Sequence, residues 1–178
     1  MKDKYIVLIV GESGSGKSTI CDELTKSYGL KQVKSYTTRP RRSANEDGHI
    51  FVSDEEFDKL ENMCAFTLFN GHRYCATSEQ VDNADLYIID PKGVEYFMNH
   101  YNGKKIPMVI YIDVDKKTRR ERMRKRGDGQ NKVDKRIKHD EESFGNVDEY
   151  AFKTYSNKTL ADLDRIVNDI YYLFFMDR

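Results

Sequence analysis

The sequence has no tryptophan, only three prolines and three cysteines, and no net formal charge, because 30 basic and 30 acidic side chains cancel. This balance excludes a global field that would attract nucleic acid or anionic membrane, so any attraction for phosphate must be local. The chain also lacks an apolar stretch of roughly 18 residues and a signal-peptide pattern at its start, which gives the expectation of a cytoplasmic protein.

The three cysteines, Cys21, Cys64 and Cys75, are odd in number and widely spaced. They form neither a Cys-x-x-Cys pair nor a spacing typical of a metal site. We therefore expect reduced, partly buried thiols, and no disulfide framework.

Apolar runs rich in β-branched residues alternate with segments of helical periodicity along the 178 residues. The predicted strands cover residues 5–10, 32–38, 65–69, 72–76, 85–90, 107–113 and 153–156. The predicted helices cover 17–28, a short segment that starts with a Ser53–Glu56 capping box, 93–101, 115–126, 133–144 and 160–174. Asn70-Gly71 between two strand-like runs predicts a hairpin. The alternation predicts a three-layer α/β fold with a parallel sheet covered on both faces.

Residues 11–18 match the phosphate-loop pattern G-x-x-x-x-G-K-[ST] in full, between a buried strand and a helix. Its glycines let backbone N–H groups face phosphate oxygens at the positive end of the helix. In this pattern Lys17 reaches the β- and γ-phosphates, and the Ser18 hydroxyl binds Mg²⁺. We therefore expect ATP as the phosphoryl donor. The predicted ATP-binding residues are Gly11, Glu12, Ser13, Gly14, Ser15, Gly16, Lys17, Ser18 and Thr19.

A second candidate anion site follows the loop. Arg39 and Arg42 lie three residues apart, and Pro40 stiffens the segment between them. Two guanidinium groups at this spacing can bind one phosphate, because each presents a planar fork of N–H donors.

At this segment the sequence resembles the guanylate kinase family, whose acceptor segment reads S-x-T-T-R-x-x-R, as residues 35–42 do. Further likenesses follow in the family's order over almost the whole chain. They are 47–53, a shortened D-G-x-x-Y-x-F-V-S; the hairpin ending in Tyr74; Asp90 to Gly93, like D-x-x-G; Arg122 to Gly127, like the start of the lid; and Lys135 to Ile137, like the K-R-[LI] that closes it.

The resemblance implies a P-loop nucleoside monophosphate kinase with ATP, Mg²⁺ and GMP or dGMP as its small-molecule partners. It implies that Ser35 and Asp90 contact the base, and that a closing lid brings arginines over the transferring group. The implied catalytic residues are Lys17, Arg39, Arg122, Arg126 and Arg136. The implied acceptor-binding residues are Ser35, Arg39, Arg42, His49, Tyr74 and Asp90.

Three positions depart from the family pattern. Ala65 stands where the family carries a glutamate for the guanine N1–H and amino group, and Ala76 stands where it carries a small hydroxyl residue. His49 aligns with a phosphate-binding tyrosine. The residues implied to bind the acceptor phosphate are thus mostly present, while some of those implied to recognise the base are replaced. The identity of the acceptor nucleotide is therefore left open.

Plainer interpretations exist for some of these residues. The basic segment 116–126 is typical of a solvated helix face or a nucleic-acid patch as well as of a lid. Tyr74 could simply pack in its strand, His49 could be an ordinary surface or core histidine, and Asp90 could only cap the next turn.

We expect one domain, with its core at 1–34 and 84–178, an acceptor-binding region at about 35–83 and a lid at about 126–135. We expect a monomer or homodimer that binds neither nucleic acid nor membrane. The alternatives are a kinase of the same architecture for another small phosphorylated molecule, and a non-catalytic interaction module. The further hypothesis, that the protein binds nucleic acid, is supported only by the basic helix.

Overall fold

The computed structural model describes residues 4–41, 43–69 and 71–176. Within these residues the strands are β1 (Tyr5–Val10), β2 (Tyr36–Thr37), β3 (Ile50–Phe51), β4 (Met63–Phe69), β5 (His72–Thr77), β6 (Leu86–Ile88), β7 (Ile106–Asp113) and β8 (Lys153–Ser156). The helices are α1 (Lys17–Tyr28), α2 (Asp54–Phe57), α3 (Ser78–Asp82), α4 (Pro91–His100), α5 (Lys116–Lys125), α6 (Gln130–Ser143) and α7 (Leu160–Phe174), with a short 3-10 helix at Val147–Glu149.

A four-stranded parallel sheet in the order β6-β1-β7-β8 forms the centre of the protein. Val7 and Ile9 of β1 point to the face covered by α1 and α7, while Ile6, Leu8 and Val10 point to the opposite face. All five are fully buried, which explains the continuous apolar run of this strand. The predicted parallel sheet with helices on both faces is confirmed.

A second, smaller sheet in the order β3-β2-β5-β4 uses residues between 36 and 77. Its β4–β5 hairpin is antiparallel, with Phe69 opposite His72. Asn70 of the predicted turn lies outside the described residues, whereas Gly71 has φ 76°, a left-handed conformation that favours glycine. Since successive side chains of a strand alternate, Ala65, Thr67 and Phe69 share one face of β4.

Helices α5 and α6 form a hairpin that residues 126–129 connect. Met123 of α5 packs against Val133 and Ile137 of α6 in a small buried cluster of its own. Gly127, with φ 92°, makes the turn after Arg126 ends α5. This hairpin brings the inner face of α6 over the phosphate loop.

Several element bounds differ from the predicted ones. The predicted strand 32–38 forms a ladder only at Tyr36–Thr37, although Gln32 makes one bridge to Leu86. Helix α4 begins at Pro91, because Asp90 caps it and proline fits the first helical position. Helix α6 begins at Gln130, so the predicted lid 126–135 includes a regular helical turn.

The C-terminal helix confirms its predicted bounds, but not all of its predicted apolar face. Leu160, the first residue of α7, is 80 % exposed, and Leu173 is 41 % exposed although the following Phe174 is buried. Cys21, Cys64 and Cys75 are free thiols as predicted, and all three are buried rather than partly buried. Among the described residues, no helix has the length and apolar character needed to cross a bilayer.

Candidate active site

The phosphate loop joins the carboxyl end of β1 to the first turn of α1. Gly14 and Gly16 have φ 82° and 94°, which only glycine adopts without strain. A Cβ on Gly14 would lie 2.8 Å from the Arg119 carbonyl oxygen, and one on Gly16 would lie 2.5 Å from Asn157 Nδ2. Both glycines are therefore required for the backbone conformation and for close packing around the loop.

Lys17 closes the loop on itself. Its ammonium donates to the carbonyl oxygens of Gly11 at 2.6 Å and Glu12 at 3.1 Å. The side chain keeps some surface open to a cavity, but its ammonium is surrounded by protein, and this burial lowers the pKa of Lys17 from 10.5 to about 8. The carboxylates of Asp140 and Glu12 oppose that shift, and the Arg136 guanidinium adds to it.

Asp140 of α6 forms hydrogen bonds with the phosphate loop. Its Oδ2 accepts the backbone N–H of Ser13 at 2.9 Å, and its Oδ1 accepts the Ser13 hydroxyl at 3.4 Å. Arg119 donates to the same carboxylate at 3.2 Å. The sequence interpretation missed Asp140. The available signal was its helical spacing, four residues after Arg136 and hence on the same face.

Arg119 fixes this arrangement from α5. It is only 4 % exposed, donates from Nε to the Val114 carbonyl oxygen at 2.9 Å and pairs with Glu12 at 3.5 Å. Burial raises the pKa of Glu12, although the charge of Arg119 opposes the shift. The sequence places Arg119 on one helix face with Arg122 and Arg126, in the segment interpreted as the start of the lid, whereas the structure makes it the buried centre of a network.

Arg122 lies against the opposite side of the loop. Its guanidinium donates to the carbonyl oxygens of Gly14 at 3.4 Å, Ser15 at 3.3 Å and Asn157 at 2.8 Å. Asn157, also missed from sequence, donates to the Ser15 carbonyl oxygen at 2.9 Å. A cavity of about 290 Å³ opens here, lined by Gly16, Thr19, Arg122, Asn157, Lys158, Thr159, Leu160 and Leu163.

The structure does not bring Arg126 to the loop. Its side chain is 57 % exposed and forms an ion pair with Asp128 in the α5–α6 connection. Arg136, by contrast, lies close enough to Lys17 to influence its pKa. Of the three predicted lid arginines, two thus lie near the loop in this conformation.

A cavity of about 230 Å³ connects the loop with the smaller sheet. Ser13, Lys17 and Asp140 line one end, and Thr67 and Asp90 line the other. Lys92 and His139 also border it, and the His139 ring meets Phe69 edge to face with centroids 4.9 Å apart. His139 is a further residue that sequence reasoning did not identify.

A second cavity, of about 100 Å³, adjoins the first and shares Thr67, Ile88, Ile89 and Asp90 with it as lining residues. It is also lined by the predicted acceptor residues Ser35, His49 and Tyr74. Ser35 Oγ lies 2.9 Å from His49 Nδ1, and the rings of His49 and Tyr74 meet edge to face at 5.6 Å. Ala65 lines this cavity and is 1 % exposed, so β4 presents no carboxylate there.

Arg39 lies beside this group. It is 8 % exposed and donates to the carboxylate of Glu46 at 2.6 and 3.2 Å. That bond is the main cause of its raised pKa, to which neighbouring Tyr74 also contributes. Arg42, the second arginine of the predicted clamp, lies outside the described residues.

Asp90 connects the start of α4 with β4 through two hydrogen bonds. Its Oδ1 accepts the Gly93 N–H at 2.6 Å as the cap of α4, and also the Thr67 hydroxyl at 3.1 Å. Gly93 makes room for this pair, since a Cβ there would lie 2.7 Å from Ile89 Cγ1 and 3.1 Å from Thr67 Oγ1. Thr67 was missed, because its contact depends on the approach of β4 to α4.

Ser18, the predicted Mg²⁺ ligand, is exposed in the first turn of α1 and borders an open groove that also contains Asp22. The described residues contain no group of three or more His, Cys, Asp or Glu side chains that could hold a metal alone. One hydroxyl beside a phosphate loop fits an ion whose other ligands are phosphate oxygens and water, as Mg²⁺ prefers.

Comparison with known proteins gives consistent relationships. The family described as "AAA domain" matches residues 7–145. The chain is 30 % identical over 185 residues to the guanylate kinase of Caldanaerobacter subterraneus subsp. tengcongensis, covering 95 % of this chain and 85 % of that protein. It is 36 % identical over 101 residues to the guanylate kinase of Schizosaccharomyces pombe, spanning 49 % of this chain and 50 % of that protein.

Among solved structures, the crystal structure of guanylate kinase from Anaplasma phagocytophilum is similar with a TM-score of 0.63. The match covers 99 % of this chain and 89 % of that chain at 18 % sequence identity. At this identity the likeness concerns the fold, and it covers both sheets.

Proposed function

Because the chain belongs to the guanylate kinase family, we propose that it transfers the γ-phosphoryl group of ATP to a nucleoside monophosphate, GMP or dGMP, with release of ADP and the nucleoside diphosphate. Of the named relatives, the guanylate kinase of Caldanaerobacter subterraneus covers 95 % of this chain. The protein is thus a nucleoside monophosphate kinase.

The observation that carries this proposal is the pair of neighbouring cavities between the loop and the smaller sheet, which share Thr67 and Asp90 as lining residues. Lys17 and Asp90 both line the cavity of about 230 Å³, and Asp90 also lines the neighbouring cavity with Ser35, His49 and Tyr74. Phosphoryl transfer requires two anions held close and in line, with their repulsion cancelled. Lys17 supplies a cation at the loop end, and Arg39, which interacts with Tyr74 of the second cavity, supplies one beside the acceptor end.

On the donor side, the backbone N–H groups of residues 11–19 bind the phosphates and Lys17 balances their charge. Arg122 and Arg136 add positive charge on opposite sides of the loop. Lys17 turns from the carbonyl oxygens of Gly11 and Glu12 to the phosphates when ATP binds. Arg126 reaches the transferring group only after the α5–α6 connection closes.

On the acceptor side, Arg39, Arg42 and Tyr74 hold the phosphate, with His49 in the place of a phosphate-binding tyrosine, while Ser35 and Asp90 face the base. Support comes from the shared cavity and from the contact between Arg39 and Tyr74. Glu46 neutralises Arg39 in the free protein. The acceptor phosphate therefore competes with an internal carboxylate for this guanidinium.

Mg²⁺ completes the donor site, with the Ser18 hydroxyl as its protein ligand. When bound, the ion would supply positive charge against the donor phosphates. The residues of the chain supply the remaining functions, which are to orient both nucleotides, to exclude water and to surround the transferring group with donors.

We also propose that the domain consists of a core, an acceptor-binding region at 35–83 and a lid at 126–135. We propose that the protein is a monomer or a homodimer. The smaller sheet falls within the acceptor-binding range. Free buried thiols are typical of a reducing compartment, so we place the activity in the cytoplasm.

A coupled ADP-release assay over a panel of nucleoside and sugar phosphates tests the proposal. We expect turnover with GMP or dGMP that requires Mg²⁺ and ATP. Turnover only with another phosphorylated acceptor would identify a kinase of the same architecture with a different substrate. A folded protein that binds nucleotide and phosphorylates nothing in the panel would indicate an interaction module.

A further inference from the structure

Asp140 is an unusual neighbour for a loop that binds anions. Its side chain is buried, with 4 % of the residue exposed, and its two carboxylate oxygens accept the N–H and the hydroxyl of Ser13. A carboxylate therefore takes hydrogen bonds that a phosphate-binding loop offers to phosphate oxygens. The proposed reaction gives this carboxylate no chemical step to perform.

The surroundings of the Asp140 carboxylate form a complete anion site. Arg119 donates to it at 3.2 Å and is itself anchored by the Val114 carbonyl oxygen. Lys17 lies close enough for an electrostatic interaction with the same carboxylate. Two donors of the loop and two cationic side chains thus converge on one bound anion, which in the free protein comes from α6.

The position of this anion relates it to the donor's terminal phosphate. Ser13, Lys17 and Asp140 border the cavity that leads to Thr67 and Asp90 on the acceptor side. The phosphoryl group that is transferred must occupy this side of the loop, because it has to meet the acceptor. The terminal phosphate and the Asp140 carboxylate would then compete for the same donors.

We propose that the Asp140 carboxylate occupies, in the free protein, the place of a terminal phosphate oxygen of the donor, and that it thereby sets the affinity for ATP. The inference rests on the proposed function for the identity of the donor. ATP must displace the carboxylate and so breaks the contact between α6 and Ser13. ADP, which lacks the terminal phosphate, leaves the contact in place, so Asp140 disfavours ATP more than ADP.

The test is the binding of a non-hydrolysable ATP analogue and of ADP to the Asp140→Asn variant, measured by calorimetry without acceptor. Asparagine keeps the shape and the acceptor oxygen for the Ser13 N–H but removes the negative charge. We expect the analogue to bind about tenfold more tightly than to the wild type, and ADP to change less than about threefold.

Glu141→Gln is the matched control, since it removes the same charge from the next residue of α6. Glu141 is exposed and pairs with Lys116 at 2.6 Å, away from the loop. Its affinities should equal those of the wild type. If both variants bound the ATP analogue more tightly by the same factor, the cause would be net charge and the inference would be wrong. Unchanged or weaker binding of the analogue to Asp140→Asn would also overturn the inference.

A crystal structure of the wild type with the ATP analogue keeps the inference testable if Asp140→Asn fails to fold. We expect the carboxylate more than about 4 Å from the Ser13 nitrogen, beyond hydrogen-bond range. A carboxylate still bonded to that N–H beside the bound analogue would overturn the inference. Both measurements need no turnover, so a missing kinase activity would sink the proposed function without deciding this question.

Discussion

The Thr67 hydroxyl donates to Asp90 across 3.1 Å, at the place where the two cavities of the site meet. Because this proton is given to Asp90, Thr67 offers only lone pairs to the cavity. Within the described part of the chain, the other oxygen of Asp90 has no hydrogen bond. The pair therefore offers acceptors to a base edge that carries N–H donors, as guanine does at N1 and its amino group.

Thr67→Val should raise the KM for GMP by about three- to tenfold, because valine keeps the shape but loses the oxygen that faces the base. The KM for ATP should stay within about twofold, and Thr67→Ser should restore the GMP value. Thr154→Val is the matched control, since Thr154 donates to Asp148 at 2.9 Å in an exposed pair outside the site. Steady-state kinetics with unchanged GMP values in Thr67→Val would show that the hydroxyl does not read the acceptor.

Lys17→Ala should abolish transfer and leave the fold intact. The ammonium balances phosphate charge in a site with little water, where such a contact contributes about 3 kcal/mol or more, equivalent to at least about 100-fold in rate. Lys26→Ala, on the same helix but with a side chain 78 % exposed, should keep full activity. A purified, folded Lys17→Ala protein that retains more than about a tenth of the activity would contradict the role of this lysine.

Arg39→Ala should raise the KM for the acceptor by about 10- to 150-fold, the value of a charge-assisted hydrogen bond, and should change the KM for ATP much less. Arg73→Ala is the control for this change and should leave the KM for the acceptor nearly unchanged. Arg73 also belongs to the smaller sheet, but it pairs with Asp54 and Asp58 at the surface of that sheet. Equal loss for both substrates in Arg39→Ala would instead indicate a role in folding.

Raising the pH above about 8 should lower kcat/KM for ATP, because the free protein holds Lys17 at a pKa of about 8. The sign follows from the depressed pKa, since the ammonium is present below this value and is lost as the pH rises through it. At saturating ATP the bound phosphates keep Lys17 charged, so kcat/KM for GMP should lack this limb. A profile for ATP that is flat up to pH 9.5 would exclude the predicted titration.

Ala65→Glu should shift preference toward GMP, because it returns a carboxylate to the cavity that Ser35, Tyr74 and Asp90 line. A charge-assisted contact of this kind contributes about 1.5–3 kcal/mol, so selectivity for GMP over other monophosphates should rise about tenfold or more. Ala65→Gln adds the same bulk without the charge and should produce a smaller change. Competition assays that give equal selectivity for both variants would mean that this face of β4 does not contact the base.

Contiguous patterns predicted the local parts of the site well. The strand, the loop and α1 follow from residues 5–28 alone, because a buried apolar run, three glycines and a helix start lie next to each other. The capping box of Ser53 and Glu56 was equally local and is confirmed.

Contacts that join distant segments could not be predicted in this way. Ser13 and Asp140 are 127 positions apart, and the hydrogen bond between them depends on how the α5–α6 hairpin folds back over the loop. The Thr67–Asp90 bond depends on how closely β4 approaches α4. Burial of Arg119 was likewise hidden, because a run of basic residues is typical of an exposed helix face.

Gly93 has a consequence for the dimensions of the acceptor site. β4 packs against α4 at this residue, and an added Cβ would meet Ile89 and Thr67 within 3.1 Å. The Thr67 side chain of β4 therefore lies directly against the Gly93 backbone of α4, with no side chain of residue 93 between them. The width available to an acceptor base is thus fixed by an atom that the chain omits, and every other amino acid at position 93 would widen it.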